Sequence, residues 1–167
     1  MEIALVKLLF SAISGVINLA VDGWKNDGIF MNAAIIARDS VVRELKLCLA
    51  ILDDLESVES EESKSALLSQ LSSASFDAVE SSGFPLRYIF TGEFDAGRYT
   101  GIISGYAGSG RYVNYMAKIE SNVDLVERTY IRLKMYMIRN KAGVEISDID
   151  YLKCLLRISV VALKNIL

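Results

Sequence analysis

At 167 residues the chain is long enough to bury roughly 70% of its unfolded surface around one core and too short for two ordinary domains, so one helical-bundle domain over 1–167 is expected. Hydrophobic residues make up 52% of it and 18 bases nearly balance 21 acids, which excludes a chain disordered throughout. The absence of histidine and the presence of only two cysteines exclude the common proton shuttle, histidine-containing zinc sites, Ser-His and Cys-His nucleophile pairs and four-cysteine metal cages.

In chain order, the first element predicted is a helix over 1–24. Ile3, Val6, Phe10, Ile13, Ile17, Ala20 and Trp24 recur every three or four residues, with Leu5, Leu9, Ala12, Val16 and Leu19 as a second apolar row. Only Lys7, Ser11, Ser14, Asn18 and Asp22 form a polar stripe, so this helix needs other helices around it or an apolar surface beneath it. The uncharged run Leu8–Val21 is 14 residues, short of the ~18–20 that span a bilayer. Lys25-Asn26-Asp27-Gly28 ends the helix.

A second helix is predicted from Ile29 to Leu55. Ala34, Val41, Leu45, Cys48, Leu52 and Leu55 share a stripe interrupted by Arg38, and Ile35, Val42 and Leu49 thicken it. A third, weakened by its serines, runs from Ser63 to Glu80 with Leu67, Leu68, Leu71, Phe76 and Val79 inward. Between Asp53 and Glu80 eight acids face one base, Lys64. Such a run reads as a solvated loop and helix start, or as a patch that steers a basic partner.

The segment 86–116 carries Gly92, Gly97, Gly101, Gly105, Gly108 and Gly110, a composition of loops. Gly97, Gly101 and Gly105 sit four apart, which in a helix makes a groove for a neighbouring backbone. Close helix packing, a glycine-rich loop and membrane-type helix association are all open, and the first predicts that Gly101→Leu costs roughly 1–3 kcal/mol by overpacking. G-x-x-x-x-G-R-Y occurs at both Gly92–Tyr99 and Gly105–Tyr112, but a phosphate loop requires Lys and then Ser or Thr where Arg-Tyr stands.

Ile119, Val123, Val126, Tyr130, Leu133 and Met137 then mark a long helix from Arg111 to Lys141, stopped at Ala142-Gly143. The last helix opens at Ser147, the expected N-cap, and buries Ile149, Leu152, Leu156, Leu163 and Ile166, with Asp150, Lys153, Arg157 and Lys164 toward solvent. Cys48 and Cys154 fall at apolar positions, as free thiols or as one disulfide between helices.

The expected fold is all-α, a single compact bundle of about five helices in which 92–110 is helix or loop, with roughly 65–75% helix. The expected function is non-catalytic recognition of another protein, in an adaptor, immunity or regulatory role, without cofactor or metal. Partner-binding candidates are Arg98, Arg111 and Tyr112, for contact area and directional hydrogen bonds, and Glu59, Glu61 and Glu62, for steering. The alternative is a membrane-active domain whose first helix inserts through Phe10, Ile13, Ile17 and Trp24. A cytoplasmic protein, peripheral to a membrane in the second reading, is expected, with self-association open and nucleic acid disfavoured by a pI near 5.1.

Overall fold

The computed structural model describes residues 28–145 and 147–166. Helix takes up 74% of them and no strand occurs among them. The chain is all-α, with eight α-helices among the described residues where about five were expected for the whole chain. The predicted helix over 1–24 lies outside the described residues.

The long, well-patterned segments fold as their periodicity dictates. Helix α1 spans Gly28–Asp54 and is prolonged by a 3-10 turn, Leu55–Ser57. Its stripe Ala34, Val41, Leu45, Cys48, Leu52 and Leu55 is buried, although Ile35, expected on the same face, is exposed. Helix α7 (Asn122–Lys141) and helix α8 (Ile149–Lys164) are the other long elements. Asp53 at the end of α1 pairs with Lys153 and Arg157 of α8, while Lys46 lies beside Lys164, so α8 runs antiparallel to α1. It runs antiparallel to α7 as well, because Thr129 meets Ser159 and Tyr136 meets Ser147.

Helix α8 supplies both of the hydrophobic clusters. Leu152, Leu156 and Leu163 join the larger one with α1, Phe76, Phe84, Phe90 and the inner row of α7. Tyr151, Cys154, Leu155, Ile158 and Ala162 join the smaller one with Phe94, Ile103, Tyr112, Met116, Ile119 and Leu125. A helix that is apolar over most of its circumference is stable only when wrapped on two sides. Lys153, expected on the solvent side, is 6% exposed as a consequence. Burial by itself would lower its pKa, but bonds to Asp53 at 2.8 Å and Glu56 at 2.5 Å raise it, so the ammonium stays charged.

Short elements replace two of the predicted long ones. The helix expected over 63–80 is two helices, α2 (Glu61–Leu68) and α3 (Ala74–Ser81). Serine hydroxyls bond local carbonyls here, as Ser69 does to Ala66 at 2.6 Å, and so compete with helix continuation. The new start at Ala74 is fixed from α1: the buried carboxylate of Glu44 accepts from the backbone N–H of Ser75 at 3.0 Å and of Phe76 at 3.4 Å. It takes over the cap that the side chain of Ser73 does not provide.

The 86–116 segment becomes α4 (Leu86–Ile89), a 3-10 turn Ala96–Tyr99, α5 (Thr100–Ile103) and α6 (Ser109–Met116). The glycine row therefore does not share a helix. Gly101 is exposed and a Cβ built on it meets nothing within 4 Å, so the close-packing reading of that position is overturned, together with the overpacking cost assigned to Gly101→Leu. Glycine is required instead where the backbone turns left-handed: Gly92 has φ +97° beside the Asn122 amide, and Gly108 has φ +88° against the Tyr112 ring. Gly92 permits an isolated antiparallel bridge in which Phe94 N–H donates to Glu120 O and Asn122 N–H to Gly92 O. That bridge also divides the helix expected over 111–141. Ser121, accepting from Asp124 N–H at 3.1 Å, opens α7 afresh.

Candidate functional site

The inner face of α7 is sealed. Val126, Thr129, Tyr130 and Leu133 are fully buried, and the Thr129 hydroxyl lies 2.9 Å from that of Ser159. Tyr130 donates to Glu44 at 2.7 Å and stacks on Phe76 with centroids 4.3 Å apart. Burial, reinforced by the Glu44 carboxylate, pushes the Tyr130 hydroxyl well above its ordinary pKa. With Ser72 donating to the same carboxylate at 2.8 Å, Glu44 is a satisfied structural hub.

The opposite face of α7 is apolar too. Ile131, Met135 and Ile138 step four and three residues along the helix at 63%, 45% and 61% exposure. Isolated exposed apolar residues are ordinary, but three large ones in one row diametrically opposite a buried row are not required by the fold. At the start of this row lies a depression of about 280 Å³ lined by Tyr115, Lys118, Arg128, Ile131, Arg132 and Tyr151. Its lining holds three bases and no acid. Arg132 lies over the Tyr151 ring at 5.1 Å, and Tyr115 meets the same ring edge-on. Arg128 is fixed by Asp124 at 2.8 Å and by the Lys118 carbonyl at 3.1 Å. On the other flank Lys134 pairs with Asp77 at 2.6 Å.

No family model, curated protein or solved structure matches this chain. Its chemistry is therefore read from the residues alone. The described residues contain no group of three or more histidine, cysteine or acidic side chains placed to hold a metal ion. Cys48 and Cys154 are free and buried, one in each cluster, so the disulfide alternative is not realised. Burial raises both thiols to about 11, far from the low values of nucleophilic cysteines. No helix among the described residues is long and apolar enough to cross a membrane.

The sequence-predicted residues divide. Arg98 is exposed on the 3-10 turn before α5, and Arg111 is exposed on α6. Arg111 shares a depression of about 450 Å³ with Gly108, Asp148 and Asp150, so acids of its own chain face it. Tyr112 is corrected: it is 1% exposed, a core residue whose hydroxyl donates to Asp148 at 2.7 Å. That bond anchors Asp148, which has φ +66° and stands at the N-cap of α8 where Ser147 was expected. Glu59, Glu61 and Glu62 are exposed, with Glu61 bound to Lys64 at 2.7 Å. Glu61 also lines an open groove of about 640 Å³ between the ends of α1, α2 and α7 and the start of α8. Phe10, Ile13, Ile17 and Trp24 lie outside the described residues. Ile131, Met135 and Ile138 were missed, although their spacing stands in the sequence beside the row that marks the core.

Proposed function

We propose that this is a non-catalytic protein that acts by recognising another protein, and that the outer face of α7 carries the recognition. The observation that supports it is the exposed row Ile131, Met135 and Ile138, which lies opposite the buried row and so is not explained by folding. Interfaces draw their energy from a few apolar and aromatic anchors, with arginines at the border, and Tyr115, Arg128 and Arg132 stand beside this row in that arrangement. Arg98 and Arg111 contribute peripheral contacts, and the acidic residues Glu59, Glu61 and Glu62, whose charge suits a basic partner, lie off this face in the first turn of α2 and the loop before it.

The test is affinity capture from the native source with the wild-type chain and with the double variant Ile131→Glu/Ile138→Glu, followed by reconstitution with the purified partner. The expected result is a partner bound by the wild type and lost by the variant, with unchanged melting. Binding that survives the double variant removes α7 from the interface. Turnover of a small molecule by the purified chain overturns the non-catalytic reading.

A further inference from the structure

We propose that the occupant of the α7 face is an amphipathic helix of a partner protein whose apolar row is bordered by carboxylates, an inference that rests on the α7 recognition reading above. Ile131, Met135 and Ile138 form a strip about 10 Å long, two turns of helix, and a partner helix meets such a strip with residues at i, i+3 or i+4, and i+7. Ridge-into-groove packing of two helices needs no reshaping of α7, which lies firmly on the core.

Charge decides the partner's chemistry. Beside the strip α7 carries Arg128, Arg132, Lys134, Arg139 and Lys141 against Asp124 and Glu127. Arg128 is paired with Asp124 and Lys134 with Asp77 and Glu80 of α3, so the positive excess rests on Arg132, Arg139 and Lys141, and Lys118 joins them from the turn before α7. The three bases of the depression converge next to Ile131 with two tyrosine rings for walls. A carboxylate on the partner, one turn from its apolar row, reaches Arg132 and Lys118 there and gains charge-assisted hydrogen bonds beside an apolar contact. A second copy of this chain is a poorer fit, since its α7 face bears the same excess of positive charge. A uniformly anionic surface, whether lipid headgroups or nucleic-acid backbone, meets the exposed Glu127 on this same face, whereas a helix with placed acids avoids it.

The experiment uses the full chain and two fluorescein-labelled synthetic helices of about 16 residues with one leucine row, flanked by glutamates in one and by lysines in the other. Fluorescence anisotropy is expected to show the glutamate peptide binding at least about tenfold more tightly than the lysine peptide, with affinity falling as salt rises from about 50 to 300 mM. Ile131→Glu abolishes binding, and Arg132→Gln with Lys118→Gln weakens it about tenfold. Lys46→Ala with Lys164→Ala, which removes the same charge elsewhere, changes it less than about twofold. Circular dichroism confirms that each variant is folded. Equal binding of the two peptides, still abolished by Ile131→Glu, overturns the acidic partner while leaving the α7 reading standing. Binding of neither peptide overturns the helical occupant, and if the partner captured by the wild type is also retained by the Ile131 and Ile138 variant, the recognition reading falls separately. Ile131-dependent binding to phosphatidylserine vesicles or duplex DNA, with no preference for the glutamate peptide, assigns the face to an anionic surface and also overturns the proposal.

Discussion

The two sides of α7 carry side chains of the same kind in opposite surroundings. On the inner side Val126, Tyr130 and Leu133 are fully enclosed; on the outer side Ile131 and Ile138 each keep about three fifths of their surface, at 63% and 61%. Every inner residue is tied to a distant element, as Tyr130 is to Glu44 and Phe76 and Thr129 is to Ser159. The outer apolar residues stay largely open to solvent, with Ile131 bordered by Tyr115, Tyr151 and the flanking bases. Apolar character alone therefore does not locate a core, and the polar partners sealed among the apolar residues mark the inside better.

Substitutions on the two sides should separate widely in stability. The largest loss is expected from Glu44→Ala, which deprives the Tyr130 and Ser72 hydroxyls and the N–H groups at the start of α3 of their acceptor. Leaving such donors unsatisfied costs about 1–3 kcal/mol each when buried, and with partial relaxation about 4 kcal/mol in total. For a chain of this size that lowers the melting temperature by about 10 °C, measurable by circular dichroism. Leu133→Ala comes next, at about 3 kcal/mol for the cavity it opens in the larger cluster, measured by urea unfolding. A loss below about 1 kcal/mol for either would erase the distinction between the two faces.

The flank between them should give an intermediate result. Burial raises the Asp77 pKa, but bonds from Lys134 and Ser73 more than reverse that and hold it below the ordinary 3.8. A carboxylate with a lowered folded pKa stabilises the fold above its unfolded pKa and loses that contribution as pH falls through the folded value. Lys134→Ala is thus expected to cost under about 0.5 kcal/mol at neutral pH, because both partners are more than a third exposed. The difference from wild type should close below pH 3.8, which unfolding curves across an acid series would show. The smallest effect belongs to the outer face: Ile131→Lys and Ile138→Lys should each shift stability by no more than about 0.5 kcal/mol in the same assay. A loss of several kcal/mol would mean that the strip is covered by this protein itself.

How far the structure could be read beforehand followed the range of the interactions that build it. The stripe from Ala34 to Leu55 and the rows of α7 and α8 were legible because a periodicity of three or four is local. The division of 63–80 was not, because α3 begins where Glu44 receives its first N–H groups, across 31 residues of sequence. Lys153 was misplaced for a similar reason, since its burial depends on Glu56 across a separation of 97. The start of α7 did have a local signal that the periodicity obscured. Ser121 followed three residues later by Asp124 is a capping pattern that argued against a helix running through it. At the candidate site the arginines and tyrosines were visible as a composition, but their sidedness was not: Tyr112 turned inward, while the outer α7 strip hid behind the stronger inner row.

The placement of α8 bears on the order in which the protein can be made. It follows every other described helix in the chain and contributes residues to both hydrophobic clusters. While the ribosome is still producing α1 to α7, each cluster lacks one wall, and apolar side chains of the earlier helices remain open to solvent or to chaperones. Closure of both clusters must await one late segment, so a nascent chain stalled before Ile149 should be far more protease-sensitive than one in which the helix has emerged through Lys164.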